Sequence, residues 1–347
     1  MKEKEELKTV SVIVPILNEE KYIEKFLETV LAQDYEFNNI ELIFVDGNSS
    51  DKTIELLEKK MKNCNVMYKL LVNSKKKTPI SVNIGIMHAK NDIIIRLDAH
   101  SEYPKNYISK CVYYLNKTGA DNVGCLFDAQ ANGILGKAIS NVLSSKFGVG
   151  NSRFRLNAES GYVDTVPYGT FRRELFEKIG FFNEELLRSE DNELNYRIRR
   201  SGGKVYLFND IAIIYHPRNT IPSLAKMAFG NGKYVIYTSY FIPGSVGIRH
   251  LVPFAFVLSL IIGIMSMCLN VKWITYLFLF ELLLYLVLDL FFSFKKVSDG
   301  VIQSLISIIL YPLFHISYGI GSIFGIFKIV KRKLKNEKNI RKFTKKQ

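Results

Sequence analysis

Cysteine is scarce in this chain, and what is present is unpaired. Cys64, Cys111, Cys125 and Cys268 show no recurrent spacing, which excludes a disulfide framework and a cysteine zinc site and suits a reducing compartment. There is no internal repeat and no low-complexity linker. Met1 to Lys8 is charged and holds no apolar signal core, so no cleaved leader is expected. Negative charge is also short: 33 Asp and Glu face 47 Lys and Arg, a net charge of +14. The acidic residues concentrate in the first part of the chain, and Lys331 to Gln347 is a strongly basic tail. Such an excess raises nucleic acid as a partner. The basic residues, however, flank apolar spans, and juxtamembrane Lys and Arg attract anionic lipid head groups. The expectation is a membrane partner and no nucleic acid.

Three acidic clusters stand out against this background: Val45-Asp46-Gly47 with Asp51, Arg96-Leu97-Asp98-Ala99-His100, and Ser189-Glu190-Asp191. Asp46 and Asp98 each end an apolar, β-branched run. Val10 to Leu17, Ile40 to Asp46, Val66 to Val72 and Asp92 to Asp98 have strand character, as do Asp121 to Phe127, Lys204 to Phe208 and Ile211 to Tyr215. Glu19 to Leu31, Asp51 to Leu57, Thr78 to Ala89, Pro104 to Leu115, Phe171 to Ile179 and Glu190 to Arg200 have helical character. Gly133 to Gly161 is expected to hold a helix and a mobile loop. Alternation of strands and helices predicts an α/β fold with a doubly wound, mainly parallel nucleotide-binding sheet. In such sheets ligands bind beyond the carboxyl ends of the strands, where Asp46 and Asp98 fall. Carboxylates there suit a metal, a ribose or a general base.

After His250 the chain turns apolar. Leu251 to Leu269 and Trp273 to Phe294 are each long enough to span a bilayer, and the short turn between them makes a hairpin. Val301 to Val330 is a third apolar stretch, interrupted by Pro312, His315 and three glycines. A single crossing there would carry the basic tail outside, against the positive-inside tendency. A kinked or re-entrant stretch is therefore expected. The organisation expected is a catalytic domain at 1–220, an amphipathic interfacial segment at 221–249, a membrane domain at 250–330 and a basic cytoplasmic tail at 331–347. Within the membrane domain the spans are 250–270 and 273–294, followed by the stretch 301–330. Glu281 in an apolar span is expected to make a polar contact between spans.

The motifs resemble those of family 2 inverting glycosyltransferases. Val14-Pro15-Ile16-Leu17-Asn18-Glu19 matches the opening strand of that family, and Asp46-Gly47-Asn48-Ser49-Ser50-Asp51 resembles its second-strand motif. Asp98-Ala99-His100 looks like its metal-binding Asp-x-Asp with His in third place, and Ser189-Glu190-Asp191 like its Thr-Glu-Asp base motif. Together with Gly169-Thr170-Phe171-Arg172-Arg173 and Glu190-Asp191-x-Glu193-Leu194-Asn195-x-Arg197, the pattern is similar to the succinoglycan-type glucosyltransferase branch. The resemblance covers Val10 to Arg218 and implies a GT-A fold. The Gln-x-x-Arg-Trp motif of processive members is absent; Gly230-Asn231-Gly232-Lys233-Tyr234 stands in its place.

The resemblance implies roles that the chemistry supports. Transfer from a nucleotide sugar must stabilise a departing diphosphate and take a proton from an acceptor hydroxyl. Asp98, with His100 as second ligand or phosphate contact, would hold a divalent cation, Mg²⁺ or Mn²⁺. Asp191 would be the general base, with Glu190 raising its pKa by like-charge repulsion; the bland alternative is that both merely complement a helix N-terminus. Pro15, Asn18, Glu19, Asp46, Asn83 and Arg96 would shape the nucleotide-sugar site. Gly169, Thr170 and Arg218 would lie on the sugar and acceptor side. Asp51 is equally an N-cap, Asn83 equally structural, and Lys75 to Lys77 a solvated charge run more readily than a phosphate contact. The expected protein is a multi-pass membrane enzyme with its catalytic domain on the cytoplasmic side. It would move a hexose, UDP-linked by expectation, to a polyprenyl-linked saccharide in exopolysaccharide or cell-envelope glycan synthesis. The alternatives are a polyprenyl-phosphate sugar synthase, a nucleotidyltransferase and a non-catalytic nucleotide-sugar-binding membrane scaffold.

Overall fold

The computed structural model describes residues 8–62, 64–217, 219–295, 297 and 300–344, with side chains up to 335. The chain divides into two compact units. The first combines Met1–Ala129 with Arg153–His216, and the second Gln130–Ser152 with Pro217–Gln347.

In chain order the first unit opens with β1 (Val10–Ile16), α1 (Ile23–Leu31), β2 (Ile40–Asp46), α2 (Thr53–Met61), β3 (Met67–Val72), α3 (Thr78–His88) and β4 (Ile93–Arg96). There follow β5 (Ser101–Glu102), α4 (Tyr107–Thr118) and β6 (Asn122–Ala129). The chain then passes through the second unit as α5 (Gly133–Leu143) and α6 (Lys146–Val149). It returns as β7 (Gly161–Tyr162), β8 (Thr170–Arg172), α7 (Glu174–Ile179), α8 (Glu190–Arg200) and β9 (Val205–Tyr215). The second unit closes with α9 (Ile221–Phe241), α10 (Ile248–Cys268), α11 (Lys272–Phe294) and α12 (Val301–Thr344).

The sheet runs β3-β2-β1-β4-β8-β6-β9-β5, with β7 also on β9. β3, β2, β1 and β4 are parallel, as expected, but β8 lies antiparallel between β4 and β6, so the sheet is mixed. Its central strands are buried on both faces. Val10, Val12 and Val14 of β1 and Leu42 and Phe44 of β2 join one core, while Ile13, Ile43 and Val45 join the other. Residues two apart share a face and adjacent ones oppose, so a continuous apolar run is what a doubly covered strand needs. Gly85 lets α3 press onto β1: a Cβ there would sit 2.4 Å from Ile13 Cγ2.

Several expectations are corrected. Phe171 is not in a helix: Thr170–Arg172 forms β8, and the helix starts at Glu174. The two short strands at 204–215 are one strand, β9, whose register against β6 shifts between Cys125 and Leu126. The catalytic segment is not contiguous to residue 220. Ala138, Ile139, Val142 and Leu143 of α5 pack with Leu224, Ala228, Leu310, Tyr311 and Phe314 in the second unit, because α5 carries an apolar face that needs a partner. The interfacial placement expected for 221–249 is not overturned: α9 is a helix, and it packs closely on α12, where a Cβ at Gly232 would lie 2.0 Å from the Tyr318 carbonyl oxygen. The stretch 301–330 is not split into two half-helices: α12 is continuous from Val301 to Thr344, with Pro312 inside it. Glu281 does make the contact expected between spans, accepting from Ser259 Oγ at 2.7 Å. Three helices, Ile248–Cys268, Lys272–Phe294 and Val301–Lys335, are long and apolar enough to cross a membrane.

Candidate active site

The loops after β1 and β2 are latched to each other beyond the strand ends. Asn18, held at φ 56°, accepts from the Ser50 amide at 2.9 Å, and its own amide donates to Ser49 Oγ at 3.0 Å. The Glu19 amide donates to Thr53 Oγ1 at 2.7 Å, and the Glu20 amide to Asp51. Asp46, at the end of β2 and 7% exposed, accepts from Ser49 Oγ at 2.6 Å and from the Ser49 amide. Asp51 precedes α2 and accepts from the Thr53 amide at 3.0 Å, an Asx turn and not the expected N-cap. These bonds set the loop shape without using every lone pair of Asp46 and Asp51.

A cleft opens between these loops. It is lined by Pro15, Glu19, Gly47, Lys76, Lys77, Thr78, Asp98 and His100 among others. Lys76 and Lys77 are exposed, as a solvated charge run would be, and yet they border the cleft. Lys76 has φ 54°; a non-glycine residue at positive φ is uncommon. Asn18, Asn48, Tyr168 and Ser189 share that strain. Strained backbone of this kind clusters at functional sites.

Asp98 and His100 form the floor. His100 Nδ1 lies 2.6 Å from Asp98 Oδ1 and 3.8 Å from Glu19 Oε1. The Asp98 amide donates to Tyr103 Oη at 2.7 Å, fixing the turn after β4. Burial would raise the pKa of Asp98, but the neighbouring His100 and Arg96 bring it below the usual carboxylate range. Burial likewise opposes charge on His100, and Asp98 and Glu19 overcome it, so its pKa stands well above that of free imidazole.

Arg96, the last residue of β4, joins this floor to the third acidic cluster. Its guanidinium is buried and forked: Nη1 donates to Asp191 Oδ1 at 2.6 Å and Nη2 to Glu190 Oε1 at 3.0 Å. The ring of Tyr168 lies beneath it, 5.6 Å from centroid to guanidinium carbon. Arg96 was expected in the nucleotide-sugar site; the structure turns it to the carboxylates at the start of α8. Burial raises the pKa of Asp191, Arg96 opposes, and Glu190 and Asp98 add to the rise. The net effect is a carboxylate above its ordinary range, sharing one electrostatic neighbourhood with Asp98. Asp191 itself is not among the residues lining the cleft at Asp98.

Other expected residues are placed elsewhere. Asn83 is 4% exposed, and its amide exchanges both hydrogen bonds with the backbone of Phe182, so it ties α3 to the chain before α8. Thr170 is fully buried within the sheet, where its amide donates to Asn122 Oδ1. That burial closes its side chain off from any acceptor. Gly169, at φ 88°, is packed against Phe171 and Asn122: a Cβ would lie 2.4 Å from Phe171 Cζ. Its carbonyl accepts from the Arg96 amide at 3.1 Å, so it supports β4 from behind. Arg218 lies outside the described residues.

Two residues escaped the sequence reading. Tyr215 closes β9 with its ring 5.9 Å from that of His100. Arg155 stacks on Tyr215, Phe127 and Phe154, and its buried Nη1 has no hydrogen-bond partner among the described residues. Arg155 lies in a segment without periodicity, and only the Arg153-Phe154-Arg155 alternation of cation and aromatic hinted at it.

The comparisons with known proteins bear directly on this arrangement. Residues 11–180 match the model of glycosyl transferase family 2. The chain carries a family 2 glycosyltransferase domain. It is 29% identical over 225 residues to the succinoglycan biosynthesis protein ExoA of Rhizobium meliloti, covering 64% of this chain and 67% of that one. It is 28% identical over 264 residues to a Methanococcus voltae enzyme named as a dolichyl N-acetyl-alpha-D-glucosaminyl phosphate 3-beta-D-2,3-diacetamido-2,3-dideoxy-beta-D-glucuronosyltransferase, covering 73% and 80%. Among solved structures, the mannosyltransferase PcManGT of Pyrobaculum calidifontis, in complex with GDP-Man and Mn²⁺, aligns over 92% of this chain and 88% of that one. Its TM-score is 0.63 at 14% identity, a likeness of fold. The glycosyltransferase fold expected from the motifs is thus the one present.

The donor groups suit a cation shared with a diphosphate. Among the described residues no three acidic, histidine or cysteine side chains converge as a ready-made cage. The cleft offers two carboxylates, Asp98 and Glu19, with the ring of His100 beside both. His100 Nδ1 is committed to Asp98, which leaves Nε2 to face a ligand. Hard cations such as Mg²⁺ are held in this way, by one or two carboxylates together with substrate phosphates and water.

Proposed function

We propose that this protein is an inverting, cation-dependent, membrane-anchored hexosyltransferase. It would take its sugar from a nucleotide donor, UDP-linked by our reading, and pass it to a saccharide carried on a polyprenyl lipid. The observation that carries this is the fork of Arg96, which holds Asp191 and Glu190 at the end of the strand that leads into Asp98. One strand end thereby serves both halves of the reaction.

Asp191 takes the proton of the acceptor hydroxyl as it attacks the anomeric carbon. Its raised pKa makes it a competent base near neutral pH. Arg96 and Glu190 position and tune it. Asp98 and Glu19 would hold the cation, which would supply charge stabilisation to the departing diphosphate, and the protonated His100 would contact phosphate. Asn18, Glu19, Asp46 and Pro15 shape the nucleotide side of the cleft, and Lys76 and Lys77 stand where phosphate charge arrives. Arg155, with an unsatisfied Nη1, is positioned for an anionic group of donor or acceptor. The Methanococcus voltae relative is named for a dolichyl-phosphate-linked sugar acceptor, which supports the lipid-linked class here. We place the catalytic unit on the cytoplasmic side and the product in a cell-envelope or extracellular glycan.

The test is a donor screen on purified membranes with lipid extract, followed by mass spectrometry of the lipid fraction. The expected result is a glycolipid one hexose heavier and a nucleoside diphosphate, both abolished by Asp98→Ala. Release of pyrophosphate in place of a nucleoside diphosphate would overturn the reading in favour of nucleotidyl transfer.

A further inference from the structure

By length and composition α12 is a third membrane span. The packing inside the second unit points elsewhere. We propose that α12 lies along the near leaflet of the bilayer, across the base of the α10–α11 hairpin, so that the chain crosses the membrane only twice.

The first observation is the burial pattern of the hairpin. From Leu258 to Leu284, only Gly263, Ser266 and Phe278 are buried. Each is covered by the other arm of the hairpin: Gly263 packs on Phe278, and Ser266 Oγ lies 3.0 Å from Thr275 Oγ1. Among the described residues, nothing therefore lies beside the far half of the hairpin. A third span running alongside would have to cover one flank.

The second observation is the angle at which α12 meets the hairpin. His250 Nδ1 bonds Tyr318 Oη at 2.9 Å, and Gly319 faces the Pro253 carbonyl and Val257. Residues 250 to 257 of α10, about 10 Å of helix, thus meet two neighbouring residues of α12. On the other arm, Tyr285 Oη bonds His315 Nδ1 at 2.8 Å. Aligned helices would pair residue by residue along their length; these cross.

Beyond the crossing, α12 leaves the hairpin and runs side by side with α9. Gly321 meets Phe229, Gly325 meets Lys233 and Ile236, and Arg332 bonds Tyr237 Oη. Both chains run in the same direction. Phe241 of α9 is joined to Ile248 of α10 by six residues (242–247), and His250 is already level with the middle of α12. An upright α12 would carry the end of α9 toward the far leaflet while α10 began in the near one. A flat pair of helices avoids that conflict.

The outward face of α12 fits a lipid occupant. Ile302, Leu305, Ile309, Ile320, Phe324, Phe327 and Leu334 are exposed along one side, a stripe of about 48 Å, against a hydrocarbon core of about 30 Å. The stripe is too long to span without strong tilt and suits a helix in the interface. Its C-terminal end carries Lys328, Lys331, Arg332, Lys333 and Lys335, which complement anionic head groups. The tail then remains on the side where α10 begins, and its positive charge no longer conflicts with the positive-inside tendency.

Two measurements test this. Asn270→Cys, at the hairpin tip, and Lys335→Cys are each placed in a chain whose four native cysteines are replaced by alanine or serine, and cells are treated with an impermeant maleimide. The two sites are expected to label from opposite sides of the membrane, one in intact cells and the other only after permeabilisation. Labelling from the same side would overturn the proposal. The second measurement retains the native cysteines. In a Trp273→Phe background, Leu305→Trp and Phe327→Trp are reconstituted with lipids brominated at graded depths. A flat α12 gives both the same quenching depth, whereas an upright one separates them by most of the bilayer and refutes the inference.

Discussion

The two units of this protein use their apolar residues differently. In the first, the interior is Val, Ile, Leu and Phe from strands covered on both faces, and buried polar groups are joined across long sequence distances. Asn122 bonds Asn195 at 2.6 Å, and Asn195 in turn bonds Thr165. In the second, Leu224, Leu310 and Phe314 join α5 in a buried cluster, but most Leu, Ile and Phe of α10, α11 and α12 are exposed, and close helix contacts are made at Gly263, Gly319, Gly321 and Gly325. Buried Ser307 and Ser322 donate to carbonyls four residues back in their own helix, satisfying themselves without help from a neighbour. The difference follows from the solvent. Water drives aliphatic side chains inward, whereas lipid tails accept them, and helix association then depends on close approach of small residues.

The contrast can be pressed from its strongest point downward. Arg96→Met removes the cation from a buried pair of carboxylates, a change that costs about 3–5 kcal/mol in such settings. Asp191 would then lose the guanidinium that opposes the rise of its pKa, so its folded pKa climbs further. The missing stability is therefore greatest near neutral pH and shrinks as pH falls through that raised value. Denaturant unfolding of the variant at pH 7 and pH 5 checks both size and sign. Gly321→Val tests the second unit, since a Cβ there would lie 2.0 Å from the Phe229 carbonyl oxygen. We expect a loss of about 1–3 kcal/mol or more, seen as a lower unfolding temperature in detergent. Gly85→Ala places the same kind of clash between α3 and β1 in the aqueous unit, and its cost should be read in the same assay. Glu190→Gln has the smallest effect. Removing the like charge beside Asp191 lowers the pKa of that carboxylate, so the acid limb of kcat/KM should move to lower pH with the plateau little changed.

The same contrast explains what the sequence disclosed. The strands of the first unit announce themselves as short apolar runs ending in Asp46 and near Asp98, and those two positions stand where ligands of such sheets bind. Asp191 was legible from its motif, but its partner was not. Arg96 is on a strand ninety-odd residues away, and no local period reveals which way a strand-end arginine points. Thr170 was expected on the acceptor side from its motif alone, and nothing local to it signals that the segment enters the sheet. In the second unit, hydropathy reveals length and little else. The glycines of α12 look like a break in the sequence, yet Gly319 is where α10 packs against it and Gly321 and Gly325 are where α9 does, and only tertiary packing distinguishes the two.

The account turns on Asp191 acting as the base beside a cation-binding Asp98. The most direct measurement is single-turnover transfer by Asp191→Asn at saturating donor, with nucleotide-sugar affinity measured on the same preparation. The account predicts a fall in rate of about 10²–10⁴-fold with donor binding retained. Transfer within a few-fold of the unaltered protein would contradict it, and would point to an acceptor that arrives already ionised.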